Sequence, residues 1–586
     1  MRFKYVCHHC DDLETESSIC PVCGNRTELL LRQVYWSDEK NIPIIDPDYL
    51  IDDQVRKIGV DIRPVFPQER LMVEIIWGEP MKYAESSVWA TSQNWYVIDG
   101  KRKKLDYSSY LQEHTINDLR NELKHYSEKN KKYIEMFMDS KWIRDFIETN
   151  AEHLNLITTE ACEYIRDICA GRKLNEIFVS FSGGKDSTVT GDLVRRALQT
   201  NEVIHIYGDT TLEYPESAVY VSRFRKDHPS TPFLTAKNTE QDFLSMGEVI
   251  GPPSRVVRWC CTVFKTGAIT KKIETTFKNR KQIISFQGIR RNESISRSKY
   301  DRESDSPKIA KQKAVSPIID WFDYDIWLYI LTNRIDFNDA YKKGFTRVGC
   351  WCCPNNSEWS EFLASLYMPE ETDRLKSFLY DFAKKVGKED WKEYVDSGAW
   401  KARQGGNGLN ASNNTVVKYE PCALEDNTLN FQLNREISPA LYELFKPFGK
   451  LDFSLGRKRL NEVYILDRKT NVPLMRLSGK IGSKILKITI LQKHPAFKST
   501  PIMNAMLRAQ ITKYQSCLAC SGCVSNCKFD ALKVRNMDKE HPSRESIVYT
   551  IDENKCVGCL NCVLHYDSGC LMYKVLKLSS KYSKEK

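Results

Sequence analysis

The 586-residue chain has no run of about eighteen apolar residues, the length a membrane-crossing helix needs. Its opening residues, Met1-Arg-Phe-Lys-Tyr-Val-Cys-His-His-Cys10, lack the apolar stretch of a secretory signal. The expectation is a cytoplasmic protein with no membrane partner. Charge is not one-sided either: 87 basic against 77 acidic residues leave +10, which permits a nucleic-acid partner without requiring one. With 41% hydrophobic and 28% charged residues, wholesale disorder is excluded. There is no long internal repeat, and at roughly 150 residues per domain three to five domains are expected.

What the chain does have is cysteine, 20 in all. In a reducing compartment, cysteines grouped at short spacings read as metal or cluster ligands and not as disulfides. Cys7-x2-Cys10 and Cys20-Pro-Val-Cys23-Gly form two paired knuckles. Two thiolates two residues apart share one ion in a tight turn whose amides offset their charge, so Cys7, Cys10, Cys20 and Cys23 predict a structural zinc ribbon over residues 1–28. Cys162, Cys169, Cys352 and Cys422 fall outside the regular groups.

Between residues 29 and 108 short apolar runs such as Leu71-Met-Val-Glu-Ile-Ile-Trp77 and Asn94-Trp-Tyr-Val-Ile98 alternate with Pro, Gly and Asp, the pattern of a small β-rich domain. Residues 109–170 carry apolar residues at spacings of three and four and read as a helical connector. Residues 171–410 then change rhythm. Ile177-Phe-Val-Ser-Phe181 reads as a buried strand, Ser182-Gly-Gly-Lys-Asp-Ser187 as a turn, and Val189, Leu193, Val194, Ala197 and Leu198 as one face of a helix. Further strands at Val203–Tyr207 and Gln282–Phe286 argue for an α/β fold with an open parallel sheet, whose ligands bind beyond the strand ends. Trp321 and Trp327 read as core residues. Residues 425–500 form a small α+β module, and the region 508–586 holds the terminal cysteines.

In Ser182-Gly-Gly-Lys-Asp-Ser187 two glycines let main-chain amides approach an anion at a helix start, Lys185 adds a charge, and Ser182 and Ser187 add hydroxyls. The Walker spacing is absent. The hexapeptide resembles the PP-loop of ATP pyrophosphatases, with an adenine nucleotide α-hydrolase-like core. Tyr207-Gly-Asp-Thr-Thr-Leu-Glu-Tyr-Pro-Glu216, Arg258-Trp-Cys-Cys261, Gln287-Gly-Ile-Arg-Arg-Asn-Glu-Ser294, Pro317-Ile-Ile-Asp-Trp321 and Tyr341-Lys-Lys-Gly-Phe-Thr-Arg-Val-Gly-Cys350 extend the likeness to the phosphoadenosine phosphosulfate reductase family. The resemblance implies nucleotide binding by Ser182, Gly183, Gly184, Lys185, Asp186 and Ser187. It further implies Asp209 and Glu213 toward the nucleotide or its Mg2+, and Arg258, Arg290, Arg291 and Arg297 on phosphate or sulfate oxygens. Lys185, Asp186, Arg290 and Cys352 are the expected catalytic set.

Cys260, Cys261, Cys350 and Cys353 match the pattern by which some members of that family hold a [4Fe-4S] cluster. Zinc and plain thiols are the alternatives, and Cys352 competes with Cys353 as fourth ligand or stands as a sulfur-accepting thiol. Cys517-x2-Cys520-x2-Cys523-x3-Cys527 is the bacterial ferredoxin run, repeated by Cys556, Cys559 and Cys562 with Cys570. With the exchange usual in two-cluster ferredoxins, Cys517, Cys520, Cys523 and Cys570 hold one [4Fe-4S] cluster and Cys556, Cys559, Cys562 and Cys527 the second. Lys528 stands in place of the usual proline, and a longer spacing precedes Cys570.

The complete loop, and the lack of the Glu-Cys-Gly-Leu-His tail of sulfonucleotide reductases, point toward ATP-consuming sulfur transfer. The likeness is to DndC-type proteins of DNA phosphorothioation and, more distantly, tRNA thiolases. That implies ATP, Mg2+, a DNA or tRNA acceptor, a cysteine desulfurase or other sulfur donor, and an electron donor. The alternatives are a sulfonucleotide reductase fed by its own ferredoxin domain and a nucleic-acid-binding redox sensor.

Overall fold

A computed structural model describes residues 5–570 except 12, 16, 18, 30–33, 46–54, 60, 132–136, 240–241, 256–257, 279, 296, 306–311, 403–416, 518–521, 526, 528, 538–546 and 565–569. The first sheet is small and antiparallel, with Tyr5–Cys7 between Leu13–Thr15 and Glu28–Leu29. Two further antiparallel sheets follow, one of Val34–Ser37, Ile42–Ile45 and Val55–Ile58, the other of Arg63–Pro64, Val88–Ala90, Trp95–Ile98 and Lys101–Lys104.

One expectation fails here. Leu71–Trp77 is not a strand but most of the helix Pro67–Ile76 and its C-cap. Pro67 takes the first helical position after extended Phe66, and Arg70 and Glu74 pair one turn apart at 3.0 Å. Leu71, Met72, Val73 and Ile75 are all buried, and so is Glu74, so the helix shows no amphipathic period to set it apart from a core strand. Among the described residues four helices come next, at Tyr107–Glu113, Ile116–Lys129, Lys141–Thr149 and Ala151–Cys169; Asp106 caps the first, and Thr115 with Asp118 forms a capping box on the second.

The central sheet comprises β1 (Ile177–Phe181), β2 (Ile204–Asp209), β3 (Phe233–Lys237), β4 (Ile283–Gln287), β5 (Glu303–Asp305) and β6 (Gln312–Val315). Its order is β3-β2-β1-β4-β6-β5, parallel throughout except for β5 at the edge. Strand order reverses between β1 and β4, the place where such sheets open a crevice for a ligand. Helix α1 (Lys185–Leu198) follows β1 and buries Val189, Leu193, Val194 and Ala197 against it; α2 (Gly267–Thr276) and α3 (Asp323–Thr332) complete the layers used below. One apolar core joins the N-terminal sheets to this one, through Trp36, Trp89, Val179, Phe286, Trp321 and Trp327.

A six-stranded antiparallel sheet spans residues 418–490. After it come the helix α4 (Thr500–Ser516), the short helix α5 (Gly522–Ser525), a hairpin of Leu532–Asn536 with Ile547–Ile551, and the turn of helix Asn561–Leu564. Phe431, Leu477, Leu507, Leu532 and Tyr549 share one core, so the sheet and the cysteine-bearing segment pack as a unit. Helix α5 rests on α2, and Lys271 reaches Asp530 at 3.7 Å. Among the described residues no helix is long and apolar enough to cross a membrane.

Candidate functional site: an anion-binding turn facing a cysteine group

The turn after β1 is built by its own small residues. Gly183 has φ 72°, a left-handed conformation that glycine adopts freely. The Ser187 hydroxyl donates to Gly184 O at 2.9 Å and accepts from Ser182 N at 3.1 Å, so it ties the turn to the first turn of α1. Tyr341 Oη accepts from Lys185 N at 3.0 Å. The opposite wall comes from the end of β4, where a Cβ on Gly288 would lie 2.5 Å from the Asp186 carbonyl carbon. Only glycine fits there.

Inside the turn two cations meet two carboxylates. Lys185 and Arg290 are each 3% exposed. Arg290 Nε donates to Asp186 Oδ1 at 2.6 Å, and its Nη2 donates to Asp323. Lys185 Nζ is 3.3 Å from Asp323 and 3.6 Å from Asp186, and donates to Thr346 O at 3.2 Å. Burial opposes ionisation of Asp323, but Lys185 and Arg290 outweigh it and hold the carboxyl down to about 2. Asp186 is lowered too, burial again being overcome by Arg290 and Lys185. Burial likewise disfavours the Lys185 ammonium, and Asp186, Asp323 and Tyr341 reverse that. A polyphosphate entering here would take over the cations, freeing two carboxylates to hold a divalent ion.

These groups open on a cavity of about 920 Å³, lined by eight basic and five acidic residues. Its far wall comes from the N-terminal sheets, through Arg63, Gln93, Asn94 and Asp61. Asp61 accepts from Asn292 at 3.1 Å; partial burial and the charge of Asp323 push its carboxyl up. Asp61, Asp323, Tyr341 and Thr346 were missed from sequence. Asp323 had a visible signal, since it opens α3, but an acid in a first helical turn is ordinary capping. Asp61 had none.

The other expected nucleotide ligands divide. Arg297 lines the cavity and pairs with Glu293. Arg291 does not; it is committed to Asp320 and to Tyr300 O at 3.1 Å. Arg258 is exposed and also outside the cavity wall. Asp209 faces Lys237 at 3.3 Å and accepts from Thr211 N. Glu213 closes its own turn, accepting from Thr210 N at 3.1 Å and Thr210 Oγ1 at 2.6 Å, and bridges to Cys350 by backbone pairing.

That bridge brings the cysteines in. Cys260 and Cys261 stand at the entry of a π-helical turn, Cys261–Thr266, leading into α2. Cys350 lies 3.6 Å from Thr210 Oγ1, and Cys353 N donates to Cys350 O at 3.2 Å. Cys260 is raised first by its neighbour Cys261 and then by burial, Cys350 and Cys352. Burial pushes Cys350 up to about 12. Among the described residues only Cys7, Cys10, Cys20 and Cys23 bring their sulfurs close enough for a single ion, so this group suits a larger iron cluster better than zinc. Cys352 is buried with Phe243, Trp259 and Phe264, in an apolar group that also contains Cys570. Asn356 lines the large cavity while donating to Cys350 O at 3.2 Å, and Lys265 lines it while its charge acts on Cys350. The cavity therefore runs from the anion-binding turn to Asn356 and Lys265, the residues that border Cys350.

At the N-terminus, Cys7, Cys10, Cys20 and Cys23 bring their sulfurs within 4.8 Å of one another, close enough for one ion. Val22 N donates to Cys20 Sγ at 3.4 Å. In the C-terminal unit Cys527, Cys556, Cys559 and Cys562 line one small apolar cavity with Phe529 and Leu560. Cys517, Cys523 and Cys570 lie near enough to the buried Lys513 to act on its charge. Cys520 lies outside the described residues.

Sheet order and turn define an α/β protein with an anion-binding crevice at its switch point. Residues 176–356 match the phosphoadenosine phosphosulfate reductase domain. An uncharacterized protein of Methanocaldococcus jannaschii is 32% identical over 41% of this chain and 57% of its own length; a second from the same organism is 30% identical over 38% and 45%. The chain thus spans about half the length of these relatives. An adenosine 5'-phosphosulfate reductase of Neisseria meningitidis is 26% identical over 38% of this chain and 88% of its own. Among solved structures, phosphoadenylyl-sulfate (PAPS) reductase from Candida auris in its phosphate complex aligns over 34% of this chain and 95% of its own, with 14% identity and a TM-score of 0.26.

Proposed function

We propose that the protein is an ATP-dependent, pyrophosphate-releasing iron-sulfur enzyme that transfers sulfur to a nucleic acid or nucleotide. The observation that carries this is the buried set Lys185, Arg290, Asp186 and Asp323 at the turn, opening on a cavity whose wall residue Asn356 donates to Cys350 O at 3.2 Å. In this reading the turn's amides cradle the β and γ phosphates. An acceptor oxygen attacks the α phosphorus, pyrophosphate leaves, and Lys185 and Arg290 neutralise the charge it gathers. Asp186 and Asp323 would hold Mg2+, which supplies further neutralisation when bound. Cys352 would carry sulfur as a persulfide loaded by a cysteine desulfurase; its outer sulfur attacks the adenylated centre, AMP leaves, and two electrons from an external donor cleave the resulting disulfide to free the product and the thiol. Cys260, Cys261 and Cys350, with Cys353 or Cys352, would hold a [4Fe-4S] cluster.

Pyrophosphate release, assayed anaerobically with DNA, tRNA and adenosine sulfonucleotides, tests the reading. Lys185→Ala is expected to lower it by about a hundredfold or more; an undiminished rate would overturn ATP activation. The relatives named as adenosine 5'-phosphosulfate reductases favour a second reading, reduction of a sulfonucleotide to sulfite. Sulfite formed from a sulfonucleotide without ATP would establish it in place of the first.

A further inference from the structure

Lys513 is a buried cation that the anion-binding site does not use. It sits on the last turns of α4, is 2% exposed, and donates Nζ to Cys562 O at 3.2 Å. The same Nζ lies 5.3 Å from the centre of the Tyr549 ring. Helix α4 packs on the turn of helix Asn561–Leu564 that carries Cys562. Among the described residues no carboxylate pairs with Lys513. An ammonium shut away from water is costly unless negative charge meets it. Around this one the groups that act on its charge are the sulfurs of Cys523, Cys562, Cys570 and Cys517. Three of these belong to one expected cluster set and Cys562 to the other; the ammonium bonds to Cys562 O and lies over Tyr549, whose side chain bonds to Cys523.

We infer that Lys513 sets the reduction potentials of the C-terminal iron-sulfur pair, holding both high enough to accept electrons from a low-potential one-electron donor. The inference rests on reading the two cysteine sets as [4Fe-4S] clusters. Each cluster takes up one electron without bond formation or proton transfer, and its net negative charge grows by one. A fixed positive charge in a dry site stabilises the more negative state, so it favours reduction. Because it bonds to one set and its charge reaches the other, Lys513 pulls both potentials upward. It is a positioning residue for charge, touching no substrate.

The test uses the full chain, purified anaerobically, with iron counted and the clusters followed by electron paramagnetic resonance through a dithionite-mediated potential titration. In Lys513→Met, which keeps the volume and removes the charge, the ratio of reduced to oxidised cluster at fixed potential is expected to fall about tenfold, a shift of about 59 mV to the negative for a one-electron couple. Lys513→Arg is expected to hold the wild-type potentials. Unchanged potentials in the methionine variant at full iron content would overturn the inference. If that variant loses iron, the arginine variant decides. Iron and potentials retained there support the charge, and iron lost there as well overturns it. Wild-type protein without C-terminal iron would instead overturn the cluster reading itself.

Discussion

At the scale of single residues the anion-binding turn depends on contacts with no room for variation. Gly288→Ala would push a methyl into the backbone of Asp186, and because main chain cannot swing aside as a side-chain tip can, the wall of the turn must shift. Destabilisation of about 1–3 kcal/mol is expected, with loss of pyrophosphate release; thermal unfolding and the release assay read the two effects. His205 offers a pH test. It is fully buried, its Nδ1 bonds to Val203 O at 2.8 Å, and its Nε2 faces Gly191 of α1. Burial lowers its pKa to about 4, opposed by the Val203 bond and helped by Arg195 and His228. The unfolded chain therefore binds the extra proton between pH 6.5 and 4 while the folded one does not. Stability falls with acidification across that window, by up to about 3 kcal/mol from this group. His205→Phe, set among Phe181, Phe224 and Phe233, is expected to flatten the melting profile there; an unchanged slope would contradict it. Of these residues the sequence displayed only the loop, since its chemistry is local. Asp61 and Tyr341 reach the loop from far along the chain, and no spacing rule connects them.

At the scale of elements, strand, turn and helix around Ser182–Ser187 were legible because a buried strand and an amphipathic helix differ sharply in period. Leu71–Trp77 was not, because a helix buried on every side loses its period. The ribbon at the N-terminus is the most self-sufficient element: its four sulfurs already converge, and Arg26 anchors it to the helix Ala151–Cys169 through Asp167 at 2.9 Å. Cys10→Ser is expected to remove about one zinc per chain and leave iron unchanged, as metal analysis would show. Loss of iron together with zinc would mean the ribbon is not an independent site.

At the scale of the molecule, the sheets, the anion-binding crevice and the cysteine sets form one connected body. If all the expected clusters assemble, anaerobically purified protein carries about twelve iron atoms and one zinc; about eight iron atoms would remove the cluster beside the cavity. Grouping of Cys7, Cys10, Cys20 and Cys23 was readable from spacing, because these four are neighbours in sequence. The meeting of Cys352 with Cys570 was not, because it depends on how the C-terminal unit docks through α2 and Asp530.

That meeting also orders the protein's manufacture. The ribbon has all its ligands once residue 23 is made, whereas the apolar surface around Phe243, Trp259 and Cys352 has to wait, uncovered, until the ribosome delivers Cys570. During that interval the nascent chain displays oxidisable sulfur and sticky surface side by side. Its yield in the cell should therefore depend on air and on chaperones more than the stability of the finished molecule would suggest.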